Sequence, residues 1–142
     1  MTTEQQVMTT EQQVSEAPIR ALIESWATAV QARDLDGVLA AHSDDIQMFD
    51  VPPPNELRGM EAYRDSWPPF FDWLEQGGVF EIVTLDVTAG ADVAFATALL
   101  RCGTGEGLKK DPDTRLRLTV GLRKEDGRWV VSHEHHSFPA GD

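Results

Sequence analysis

With 142 residues, 41% of them hydrophobic and 25% charged, the chain has the size and balance of one folded domain that needs no covalent staple. Its 24 acidic residues outnumber 12 basic ones, and a net charge of −12 argues against nucleic acid and anionic membrane surfaces as partners. The lone cysteine, Cys102, excludes an intrachain disulfide, and no apolar run approaches the roughly 18 residues of a membrane span, so the default expectation is a cytoplasmic protein.

The heptapeptide MTTEQQV fills residues 1–7 and recurs at 8–14. Seven residues are too few for a stacking repeat unit, and the segment carries no basic-then-apolar signal pattern. It is set apart as a polar tail ahead of a domain at 15–142. Ser15 is the predicted cap of the first helix, with Pro18 tolerated in its first turn. Ile19, Leu22, Ile23, Trp26 and Val30 follow at the spacing of one apolar helix face. Asp34 is placed to cap a short second helix carrying Leu35, Val38 and Leu39. A strand is expected over 46–51, stopped by Pro52, Pro53 and Pro54, which have no N–H for a ladder.

Gly59 opens a third helical segment with Met60, Tyr63 and Trp67 on one face. Pro68 and Pro69 force a restart there, for which Ser66 is the expected cap, and Gly77 and Gly78 stop the new piece. The remainder reads as four strands, over 79–87, 92–102, 114–123 and 128–136. Tight turns are expected at Ala89–Gly90 and at Glu125–Gly127, with a Gly-rich connection over 103–113. Helices followed by a four-strand meander indicate an α+β class rather than alternating α/β.

Three local signatures sharpen this reading. They are Ala32 to Asp45 (ARDLDGVLAAHSDD), Phe49-Asp-Val-Pro52 followed by Leu57-Arg-Gly59, and Gly127 to Ser137 (GRWVVSHEHHS). Together they resemble the SnoaL-like branch of the nuclear-transport-factor-2-like superfamily, which includes ketosteroid isomerase and polyketide cyclases. The resemblance covers the chain from about Ala17 onward. It implies a cone-shaped α+β roll, with N-terminal helices packed on a curved antiparallel or mixed sheet around a pocket. It implies a homodimer through the outer sheet face as well, and no cofactor.

Matching by motif puts Asp50 at the place of the isomerase's catalytic base. A carboxylate walled by apolar groups loses hydration of its charged form and becomes suited to proton transfer. The isomerase's oxyanion donors fare worse, because Trp26 falls at the tyrosine's place and Val120 near that of the second donor. An enolate there would lose most of its stabilisation, so steroid isomerisation is not expected. On the last strand the match turns Ser132, Glu134 and His136 toward the pocket, and Trp129, Val131, His133 and His135 outward. Asp50, Glu134 and His136 are the candidate catalytic residues. Trp26, Tyr63, Trp67, Phe70, Ala96, Ala98, Leu118, Val120 and Ser132 are the candidate pocket wall for a small apolar molecule.

A one-residue slip in that strand would reverse the two faces. His133 and His135 would then form a His-x-His metal pair, with His42 or an Asp as third ligand. The outer face is predicted to carry Arg115, Arg117, Thr119, Trp129, Val131 and His135. Gly103 to Gly107 is read as no phosphate loop, since no helix is expected behind it. Cys102 reads as a buried inert thiol. The alternatives to an acid–base enzyme acting as isomerase, cyclase or hydratase are a non-catalytic binder of small molecules and a dimeric interaction module.

Overall fold

The computed structural model describes the backbone of residues 2–140 and the side chains of residues 16–140. The described residues include five helices: α1 (Thr2–Gln31), α2 (Leu35–Leu39), α3 (Met60–Asp65), α4 (Trp67–Glu75) and α5 (Gly105–Lys110). The strands are β1 (His42–Phe49), β2 (Leu57–Arg58), β3 (Val79–Ala89), β4 (Val93–Gly103), β5 (Leu116–Glu125) and β6 (Arg128–Ser137). They form one sheet in the order β2-β1-β6-β5-β4-β3. Only the β1–β6 pair is parallel, so the sheet is mixed and the class is α+β. Among the described residues, no helix is long and apolar enough to cross a membrane.

The apolar stripe of α1 is what docks it. Ile19, Ile23, Trp26, Ala27 and Val30 are all buried, while the Arg20 and Gln31 side chains donate to the β3 carbonyls of Leu85 and Phe80 at 3.0 and 2.6 Å. Asp34 caps α2 as expected, accepting from the Gly37 N–H at 3.2 Å. The β3–β4 and β5–β6 hairpins turn where the sequence places them. Asp126 and Gly127 both have positive φ, which the second of these tight turns requires.

Several local expectations need correction. The first helix begins at Thr2, so Ser15 does not stand at its start and Pro18 lies in its interior; the Ser15 side chain itself lies outside the described residues. Ser66 does not cap α4 with its side chain, and its hydroxyl donates back to the Tyr63 carbonyl at 2.7 Å. The Gly-rich connection contains α5, capped by Thr104, whose Oγ1 accepts from the Gly107 N–H at 2.9 Å. A helix thus does follow Gly103, contrary to the sequence expectation. One turn of helix nonetheless offers little dipole to an anion.

The largest correction is a β-bulge in β6. Gly121 pairs with His133 and Leu122 with Val131, leaving Ser132 as the extra residue. Alternation is reset across it. Glu134 and His136 point inward beyond the bulge, as the motif match implies, but before it Val131 is only 2% exposed and Trp129 packs against the core. Both had been assigned to the outer face. The outer face does retain Arg117, Thr119 and His135, whereas Arg115 is half-buried and bonded to the carbonyls of Pro112 and Thr114.

Candidate active site

β1 and β6 run side by side, with Met48 opposite Glu134 and Phe49 opposite His135. Strand pairing continues only to Phe49, and the prolines that follow leave Asp50 at the lip of the sheet, its Oδ1 accepting from the Val51 N–H at 2.8 Å. Asp50 and His136 thereby line one cavity of about 540 Å³. Its walls are chiefly apolar and aromatic, with Met48, Trp67, Phe70, Trp73, Phe80 and Phe138 prominent. Cys102, Thr104 and Ser66 supply its other polar side chains.

Behind His136 sits a buried polar cluster. Glu134 is 1% exposed, and its Oε1 meets His136 Nε2 at 2.9 Å. Its Oε2 accepts from the Tyr63 hydroxyl at 2.6 Å and meets His42 Nε2 at 2.8 Å. The Tyr63 hydroxyl in turn accepts from Trp26 Nε1 at 3.2 Å. His42 Nδ1 is anchored on the Ala40 carbonyl at 2.8 Å, and the ring stacks on Tyr63 with centroids 5.0 Å apart. Three elements therefore meet at one carboxylate, β1 through His42, α3 through Tyr63 and β6 through His136, and α1 joins them through the bond from Trp26 to Tyr63.

The electrostatics follow from that convergence. Burial alone would push Glu134 toward its neutral form, but the hydrogen bonds and charges of His136 and His42 outweigh it and hold the carboxyl at a pKa of about 2. Burial also opposes charge on His136. The hydrogen bond and charge of Glu134, together with the charge of Asp50, reverse the outcome, and its pKa is raised. Burial, then the adjacent Glu134 charge, drives Tyr63 well above its ordinary value, so its hydroxyl is a fixed donor. Burial likewise lifts Cys102 to about 11, with the Asp50 charge adding to it, which keeps the thiol protonated and unreactive.

Of the residues assigned to the pocket wall, Trp67 and Phe70 line the cavity. Trp26, Tyr63, Ala96, Ala98, Leu118 and Val120 do not; all six are sealed in the hydrophobic core. Ser132 is displaced by the bulge, its hydroxyl turned to the Gly121 carbonyl at 3.4 Å. Glu134 stands one layer behind the cavity and reaches it through His136. His42, considered in the sequence only as a metal ligand, is the second imidazole on Glu134, placed there because β1 begins at His42, ahead of the expected strand. The tyrosine of α3, Tyr63, does not replace the oxyanion donor missing at Trp26, because its hydrogen goes to Glu134 and it lies outside the cavity lining. The His-x-His metal alternative is overturned by the register: His133 and His135 flank Phe49, ring centroids 5.0 and 5.5 Å away, on the side of the sheet opposite His42. Among the described residues, no group of three or more potential ligands is placed to hold a metal ion.

Comparison with known proteins agrees with this architecture. The model of the SnoaL-like domain matches residues 19–141. Among solved structures, an NTF2-like protein of unknown function from Pseudomonas putida is 39% identical, with a TM-score of 0.79 over 89% of this chain and 88% of its own. An uncharacterised cystatin-like-fold protein from Caulobacter vibrioides is 19% identical, with a TM-score of 0.72 over 89% and 90% of the two chains. An NTF2-like protein with a cystatin-like fold from Novosphingobium aromaticivorans is 13% identical, with a TM-score of 0.71 over 98% and 89%. No curated protein matches the chain.

Proposed function

Given that the chain belongs to the SnoaL-like family, we propose that it is a cofactor-independent acid–base enzyme, an isomerase, cyclase or hydratase acting on a small apolar molecule that bears a carbonyl group. The observation that carries this reading is the shared cavity. One carboxylate, Asp50, and one cavity-lining imidazole, His136, face the same apolar space, and a buried carboxylate holds the imidazole from behind.

The division of labour follows from charge. Because Glu134 and Asp50 both favour the protonated ring, His136 is the proton donor and Asp50 the acceptor. Asp50 takes a proton from the carbon next to the carbonyl while His136 delivers one to the carbonyl oxygen. The enol so formed is reprotonated on carbon, and both residues return to their starting states. The aromatic walls shield one side of the reacting atoms from solvent, which strengthens these interactions.

The test is exchange of α-protons into D₂O, followed by NMR across a panel of cyclic and aromatic ketones. The native protein is expected to accelerate exchange for at least one compound. Asp50→Asn should lower that rate at least ~100-fold while leaving affinity within a few-fold. A ketone that binds tightly yet exchanges no faster with the native protein than with Asp50→Asn would mark the chain as a non-catalytic binder.

The reading includes a homodimer through the outer sheet face. Val93, Phe95 and Leu99 lie on that side of β4 and are 65%, 51% and 40% exposed in the single chain, and Thr97 on β4, Thr119 on β5 and His135 on β6 form a row across the same face. The strip is bounded by Arg123 opposite Val93 and Arg117 opposite Leu99, and an apolar strip between charged ends suits self-complementary two-fold pairing. Phe95→Glu is expected to convert a dimeric mass to a monomeric one in sedimentation at micromolar concentration. A native protein already monomeric there would overturn this part of the reading.

A further inference from the structure

The buried cluster has a countable number of protons. A carbonyl only accepts, so the 2.8 Å contact between His42 Nδ1 and the Ala40 carbonyl requires a hydrogen on Nδ1. The opposite nitrogen, Nε2, lies 2.8 Å from Glu134 Oε2 and 3.1 Å from the Tyr63 oxygen. The Tyr63 hydrogen is committed to Glu134 across 2.6 Å, and Tyr63 is itself an acceptor from Trp26. With no second hydrogen in this triangle, the Nε2 lone pair would face two oxygen lone pairs at hydrogen-bond distance, inside a site closed to water.

We propose that the Tyr63–His42–Glu134 triangle holds two protons, with His42 protonated at both ring nitrogens, so that His42 is a positioning residue that neutralises Glu134 from behind and leaves His136 free to exchange its proton with a ligand in the cavity. The contact with Glu134 fixes the orientation of His136: Nε2 carries a hydrogen toward Oε1, and Nδ1 has no protein partner among the described residues and belongs to the cavity. Without the second imidazole, the full charge of Glu134 would bear on His136 and lock its proton in an ion pair. The functional meaning rests on the acid–base reading above, but the proton arrangement does not depend on turnover.

The groups facing His136 are few. Glu134 lies on its own strand and Asp50 just beyond β1, with the Cys102 thiol on β4; α1 contributes the edge of Trp26 at a centroid distance of 6.3 Å. Replacing His42 therefore changes one charge in a small set.

Nitrogen-15 NMR of the ligand-free protein, full length, with labelled histidine tests this directly. In the native protein, both His42 nitrogens are expected to show bound hydrogen near neutral pH. In His42→Gln, which keeps a donor but removes the positive charge, the His136 titration midpoint is expected to move upward by about one unit. A purely structural role for His42 would loosen the cluster and leave the midpoint unchanged or lower, which would overturn the proposal. So would an unprotonated Nε2 on native His42, a result that decides the matter even if the variant fails to fold. Loss of exchange activity in Asp50→Asn, by contrast, bears only on catalysis.

Discussion

Glu134→Ala is expected to lower the stability of the domain by about 3–5 kcal/mol, the range for removing one member of a buried ionic network. The side chain accepts from the Tyr63 hydroxyl and is the shared partner of both imidazoles. Its removal takes the closest partner from a buried hydroxyl and two ring nitrogens, and opens a void in a packed layer. Glu134→Gln should cost less. The amide oxygen can still accept from Tyr63 and His42, although the amide nitrogen then faces His136 Nε2, which must shift its own hydrogen to Nδ1 to accept. Urea unfolding of the two variants separates these effects. An alanine variant within about 1 kcal/mol of the native protein would mean that the cluster contributes little net energy, as some buried ion pairs do.

How much of this was legible in the sequence depended on whether the signal was local. The inward stripe of α1 is a property of five residues at helical spacing, and Ile19, Ile23, Trp26 and Val30 are buried accordingly. Alternation in β6 placed Glu134 and His136 on one face, but the bulge at Ser132 arises from how two strands register, and no residue type there announces it. Val131 and Trp129 were lost to that single extra residue. His42 sits in His-Ser-Asp-Asp, a run that reads as a polar turn; its burial depends on β1 lying parallel to a strand that follows it by some ninety residues. Small residues were likewise a poor guide to open space. Ala96 and Ala98 allow close packing, and the cavity opens instead between α4, the end of β1 and Phe138, where large aromatic rings meet edge to face.

The stabilisation that the cluster supplies depends on pH. Glu134 holds its proton in the folded state only near pH 2, against 4.5 for the free side chain, so its contribution is fully present above about 4.5 and is lost as the pH falls toward 2. A shift of that size corresponds to about 3 kcal/mol. His136 behaves in the opposite sense. Its folded pKa is raised above 6.5, so its contribution is complete below 6.5 and disappears as the pH climbs through the raised value. The two are present together only between about pH 4.5 and 6.5, and that window is where the cluster is expected to stabilise the fold most. Titration of the many surface carboxylates also changes stability in acid, because protonation relieves the self-repulsion of a chain with net charge −12. The informative quantity is therefore the difference in unfolding free energy between the native protein and Glu134→Gln, in which that background cancels. It should peak in the window, shrink toward zero by pH 2 and decline again on the alkaline side. A difference that stays constant from pH 2 to 9 would show that Glu134 and its histidines carry no net charge interaction, and with it would fall the argument that His136 is held ready as a proton donor.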